Sequence, residues 1–104
     1  MIEFEWDPAK AKSNERKHGV TFEEATLVFQ DPNIYSDHDR IVDGELRWQS
    51  TGLVHGVMLV LVAHTSDFDQ NSQTELIRII SARKANPQER KRYGQAGTKD
   101  PSGH

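Results

Sequence analysis

The sequence predicts one small α+β domain, and three observations carry that reading. Two helix-start signals stand near the beginning, Asp7-Pro8 and Thr21-Phe22-Glu23-Glu24. From Ile34 to Ala82 short apolar runs alternate with turn signals, above all Asp43-Gly44 and His55-Gly56, which is the pattern of hairpin-linked strands. A third helix start, Asn86-Pro87-Gln88-Glu89, follows the last run. Helices segregated to the two ends of a strand meander make an α+β arrangement. At 104 residues, 35% of them hydrophobic, there is room for one lean core.

Ile2 to Trp6 alternates, with Ile2, Phe4 and Trp6 on one side and Glu3 and Glu5 on the other. That is a half-buried strand. Asp7 then caps a helix with Pro8 at its first position, because proline has no N–H to leave unpaired there. This helix runs to His18 and stops at Gly19. Thr21 and Glu24 form a capping box, and the second helix runs to Phe29 or Gln30. Phe22, Ala25, Val28 and Phe29 are its apolar stripe. Asp31-Pro32 ends it, since the residue before proline avoids helical angles.

Four strands follow, Ile34 to Ile41, Leu46 to Leu53, Val57 to Ala63 and Leu76 to Ala82. The third is apolar on both faces and is expected at the centre of the sheet. Ser66 to Thr74 is polar and reads as a loop. The last helix starts at Pro87, reaches Tyr93 and ends at Gly94. The domain is therefore expected over 1–94. The apolar-poor stretch 95–104 is expected to be a disordered tail.

There is no cysteine, which excludes disulfide scaffolds, thiolate metal sites and cysteine nucleophiles. The acidic, aromatic beginning does not fit a secretory leader, and Val57 to Ala63 is too short to span a bilayer. A cytoplasmic protein is expected. The net charge is −3, yet the charges are unevenly placed. Thr21 to Glu45 carries seven acids against Arg40 alone. Leu76 to Gly94 carries Arg78, Arg83, Lys84, Arg90, Lys91 and Arg92 against Glu89 alone. A local basic field attracts phosphate even on an acidic chain, because salt screens the distant charges. The plainer reading is a solvated basic face.

At strand period, Arg78 falls on the face of Leu76, Ile80 and Ala82. An arginine among apolar neighbours needs a carboxylate partner or a cleft. Glu45 or Glu75 would be such a partner; a phosphate is the functional alternative. Arg83 and Lys84 stand at the strand end, where guanidinium forks suit phosphate. Glu45 and Arg47 share a face of their strand. That pair is either an ordinary charged surface or a carboxylate base beside a phosphate-binding arginine. Trp48 points the other way, toward the core.

The histidines His18, His38, His55, His64 and His104 give no helical i, i+4 metal pair. His38 between Asp37 and Asp39 reads as a solvated turn rather than a weak metal site, and His55 as a turn residue. His18 ends a helix, where the dipole favours an imidazolium. Phosphate-loop, serine-elbow and H-E-x-x-H motifs are absent from the sequence.

Taken together, several phrases resemble the BrnT family of toxins. They are Phe4-Glu5-Trp6-Asp7-Pro8-Ala9-Lys10 with Asn14, Arg16-Lys17-His18-Gly19-Val20-Thr21-Phe22-Glu23-Glu24-Ala25, Phe29 with Asp31-Pro32, Gly44-Glu45-Leu46-Arg47, and Arg78-Ile79-Ile80-Ser81-Ala82-Arg83-Lys84-Ala85 with Glu89-Arg90 and Tyr93. The likeness spans Ile2 to Tyr93; only the loop Ser66 to Thr74 departs from it, being longer than the family's usual turn. It implies a RelE-like fold and the toxin of a type II toxin–antitoxin pair, a metal-independent endoribonuclease that inhibits translation and needs no cofactor. It also implies a BrnA-like ribbon-helix-helix antitoxin in a heterotetramer, with operator DNA bound only through that antitoxin. Carried over, the catalytic set is Glu45, Arg47, Arg78, Arg83 and His18, with Glu45 and His18 as rival bases. Lys84, Arg90, Lys91 and Tyr93 would bind RNA. The competing expectations are a non-catalytic module that holds a DNA-binding partner, and a metal hydrolase built on His38 and nearby acids.

Overall fold

The protein, represented by a computed structural model, is described over residues 1–98, with side chains through residue 95. Strand β1 (Ile2–Glu5) leads into α1 (Pro8–His18) and α2 (Phe22–Thr26), which tightens into a 3-10 turn at Leu27–Gln30. Strands β2 (Tyr35–Val42), β3 (Glu45–Val54), β4 (Met58–Asp69) and β5 (Thr74–Lys84) follow, and α3 (Pro87–Thr98) closes the order. The five strands form one sheet in the order β1-β5-β4-β3-β2. β2 to β5 is the expected antiparallel meander, and β4 is its central strand. β1 adds to β5 in parallel, pairing Glu5 with Arg78.

Local signals set the ends of the elements. Asp7 accepts the Ala9 N–H at 2.9 Å, and α1 closes on Gly19 at φ 71. Thr21 and Glu24 make both bonds of the capping box. Asp43 and Gly44 both take positive φ, as the tight twisted hairpin requires. Val20, Phe22, Ala25 and Val28 pack on Val54, Val60, Val62, Ile77, Ile79 and Ala82, forming one core between the helices and one sheet face. Gly52 is needed there, because a Cβ would meet the Val28 carbonyl oxygen and Cγ1, each at 2.8 Å.

β1 ends at Glu5, so β5 runs on beyond Arg78 without a strand on that side. The buried Asn14 side chain of α1 fills the gap. Its Oδ1 accepts the Ala82 N–H at 3.1 Å, and its Nδ2 donates to the Ala82 and Val20 carbonyls at 2.8 and 3.0 Å.

Four expectations are corrected. Ser66 to Thr74 is mostly ladder: β4 reaches Asp69 and β5 begins at Thr74, so backbone bonds hold a hairpin whose outer side chains bury little. α3 continues through Gly94 to Thr98; glycine lowers helix propensity by only about 1 kcal/mol per residue and does not by itself stop a helix. The first residues of the expected tail are thus helical, and 99–104 lie outside the described residues. His38 is in β2 and not a turn; its ring stacks edge-on against Trp48 at 4.2 Å. Finally, a bulge in the β4–β5 ladder pairs Ala63 with Ser81 but His64 with Ile79, leaving Ile80 as the extra residue. The alternation flips there. Ala82 joins Ile77 and Ile79 in the core, and Arg78 stands exposed, no longer on the face of Ala82.

Candidate active site

A cleft of about 330 Å3 lies at the β1 end of the sheet, lined by Glu5, Trp6, Asp7, Lys10, Arg47, Arg78, Ile79 and Ile80. It opens where β1 ends, where α1 begins and where β5 bulges. Register brings its charges together. Arg78 pairs with Glu5 on one side and with Thr65 on the other. Trp48 pairs with His64, so Arg47 lies beside Thr65. Arg47 and Arg78 are therefore separated by a single strand, roughly 10 Å between Cα atoms.

Three cations, Lys10, Arg47 and Arg78, meet two carboxylates, Glu5 and Asp7, in this cleft. Asp7 is occupied as the α1 cap. Glu5 touches Arg78 only at 3.5 Å between Oε2 and Nε, and both side chains are about half exposed. The Arg47 Nε is buried without a hydrogen-bond partner, its nearest carboxylate oxygen being Glu45 Oε1 at 3.7 Å. A guanidinium so placed has unused capacity for an anion.

A second polar cluster docks α3. Asn86 and Glu89 exchange backbone-to-side-chain bonds of 2.9 and 2.8 Å, the expected cap. Glu89, 6% exposed, also receives both Arg83 Nη groups at 2.8 Å. Burial pushes the Glu89 carboxyl up, but the bonds from Arg83 and Asn86 prevail and hold it below its ordinary value. The bond to Glu89 raises Arg83 in turn. One helical turn on, Tyr93 donates to Asp31 Oδ2 at 2.6 Å, and the Leu53 N–H donates to the same oxygen at 2.7 Å. Burial and this carboxylate push the Tyr93 phenol up to about 12.

A family model described as "Ribonuclease toxin, BrnT, of type II toxin-antitoxin system" matches residues 6–89. The chain belongs to the BrnT family of ribonuclease toxins. The crystal structure of the Brucella abortus ribonuclease toxin BrnT superposes with a TM-score of 0.57 at 18% identity, covering 83% of this chain and 99% of that one. That likeness shows the shared fold. No curated protein matches the sequence. Membership in a type II toxin–antitoxin family implies an antitoxin partner. No helix among the described residues is long and apolar enough to cross a membrane.

In this BrnT-family chain the expected site residues divide. Arg47 and Arg78 share the cleft, and Glu45 stands just outside it beside Arg47. Arg83 is one Cα row with Leu61 and Thr51, whereas Arg78 is in the row of Thr65. Four residues along β4 place Arg83 roughly 13 Å away, facing Glu89. Tyr93 is held by Asp31. Lys84, Arg90 and Lys91 are exposed around α3. His18 ends α1, about 12 Å along the helix axis from Lys10. Of the four charged or aromatic cleft residues missed in the sequence, Lys10, Glu5 and Trp6 depend on the parallel pairing of β1 with β5, which the alternation of Ile2 to Trp6 does not reveal. Asp7 was read only as a cap. Among the described residues, no three His, Asp or Glu side chains converge to hold a metal ion.

Proposed function

We propose that this chain is a metal-independent endoribonuclease toxin of the cytoplasm. It inhibits translation by cutting RNA and is neutralised by a BrnA-like ribbon-helix-helix antitoxin in a heterotetramer. The observation that carries the reading is the convergence of Arg47 and Arg78 on one open cleft, the Arg47 Nε having no hydrogen-bond partner beyond its 3.7 Å contact with Glu45. The scissile phosphate sits between the two guanidinium groups. The RNA 2′-OH attacks the adjacent phosphorus; the O2′–P bond forms and the P–O5′ bond breaks. The products are a 2′,3′-cyclic phosphate and a free 5′-hydroxyl. Negative charge grows on the non-bridging oxygens along this path, and fixed cations stabilise it more than they stabilise the ground state. Arg83 serves this function by holding α3 against the sheet.

The test is purified full-length protein incubated with RNA in EDTA, alone and with antitoxin. The expected result is cleavage by the free protein, slowed about 100-fold or more by Arg47→Ala or Arg78→Ala and abolished in the complex. Binding should weaken steeply with salt. Retardation of RNA on a gel without cleavage would sustain a pure binding module instead, and activity abolished by EDTA would sustain a metal hydrolase.

A further inference from the structure

We infer that Glu5 and Lys10 are the general base and general acid of this cleft, an assignment that rests on the ribonuclease reading above. A transesterification at phosphorus needs a group to take the 2′-OH proton and another to give a proton to the leaving O5′. Arginine supplies charge but does not release its proton, so Arg47 and Arg78 cannot fill either role. The remaining titratable groups in the cleft are Glu5, Asp7 and Lys10.

Asp7 is committed to the Ala9 N–H at the start of α1. Glu5 has only the 3.5 Å contact with Arg78, at the outer limit of a hydrogen bond. Its lone pairs are therefore open to a hydroxyl proton. Binding of a phosphate draws the Arg78 guanidinium toward the anion and releases Glu5 from that contact. Lys10 is the cleft's one ammonium among the described residues, and unlike a guanidinium it is a proton donor. It stands one helical turn before Asn14, whose amide pins α1 to β5 at Ala82. Residues four apart share a helix face, so that bond also holds Lys10 toward the cleft. The step balances: Glu5 Oε receives the 2′-OH proton, the O2′–P bond forms, the P–O5′ bond breaks, and Lys10 Nζ protonates O5′. Glu45 and His18 both lie outside this lining.

The experiment compares two RNA substrates at a bond mapped with the wild-type protein. One is the natural phosphodiester, and the other carries sulfur in place of the bridging 5′-oxygen, a leaving group that departs without a proton. Glu5→Gln should lower kcat about 100-fold on both substrates, with KM changed little and Glu5→Asp recovering part of the rate. Lys10→Ala should be as slow on the oxygen substrate yet within a few-fold of wild type on the sulfur substrate. Glu5→Gln at the wild-type rate removes Glu5 as base, and Lys10→Ala equally slow on both substrates removes Lys10 as acid. If Arg47→Ala and Arg78→Ala also cleave normally, the cleft itself is misassigned. If they fail while Glu5→Gln does not, the cleft stands and only the base is wrong.

Discussion

Arg83 and Glu89 face each other through two parallel hydrogen bonds, Nη1 to Oε1 and Nη2 to Oε2, each 2.8 Å long. Glu89→Ala should cost about 2 kcal/mol in urea unfolding, below the 3–5 kcal/mol of fully buried pairs, because the Arg83 side chain is 36% exposed. Arg83→Ala should cost as much, and the double variant should show strong non-additivity. Independent, additive losses would sink the coupling. The Glu89 carboxyl is held below its ordinary 4.5, so its contribution is complete above that value and disappears as pH falls through the lower folded value.

The bond from Tyr93 to Asp31 gives a marker at the other end of pH. A group raised in the folded state stabilises below its unfolded value, here 10.0, and loses that contribution as pH rises toward about 12. The chain has two tyrosines, so absorbance titration of wild type against Tyr93→Phe isolates this phenol. A difference transition near 12 is expected; one near 10 would overturn the assignment. Tyr93→Phe should also lose about 1 kcal/mol of stability.

His64 reports a different window. Its Nε2 meets Ser50 Oγ at 2.7 Å, Ser50 Oγ meets Ser36 Oγ at 2.7 Å, and its ring packs edge-on to Phe29 at 4.9 Å. Burial keeps the imidazole pKa below the ordinary 6.5. The unfolded chain then binds a proton that the folded chain refuses, so stability is complete above 6.5 and declines as pH falls below it. The urea midpoint of wild type should drop between pH 7.5 and 5.5 by more than that of His64→Gln. Equal drops would falsify the buried neutral histidine.

What the sequence made legible is local. Asp7-Pro8, Thr21 to Glu24 and Asn86 to Glu89 each state their cap within three residues, and each cap forms. Asp43-Gly44 likewise carries its own turn geometry. The meander followed from these signals plus the apolar run of β4. What stayed hidden was decided by partners distant in the chain. The bulge at Ile80 exists because of register against β4, and it alone moves Arg78 and Arg83 to the same side of the sheet. The outer ladder Ser66 to Thr74 is held by backbone bonds that leave no apolar pattern. Glu5 looked like the wet side of a strand until β1 was placed beside Arg78. Nothing in the strand of Arg83 shows that Glu89 returns to it from α3.

Asn14 has a consequence for what can attach to this molecule. Where β1 stops, an amide side chain imitates the neighbour that β5 lacks, offering one acceptor and one donor to Ala82. Any chain seeking to lengthen the sheet there must first pry α1 away from that stretch of β5. Among the described residues, β2 pairs only with β3, as the last strand of the sheet. The two margins of the same sheet thus differ in kind among the described residues: one is plugged by a helix side chain, and the other ends on a strand paired on one side.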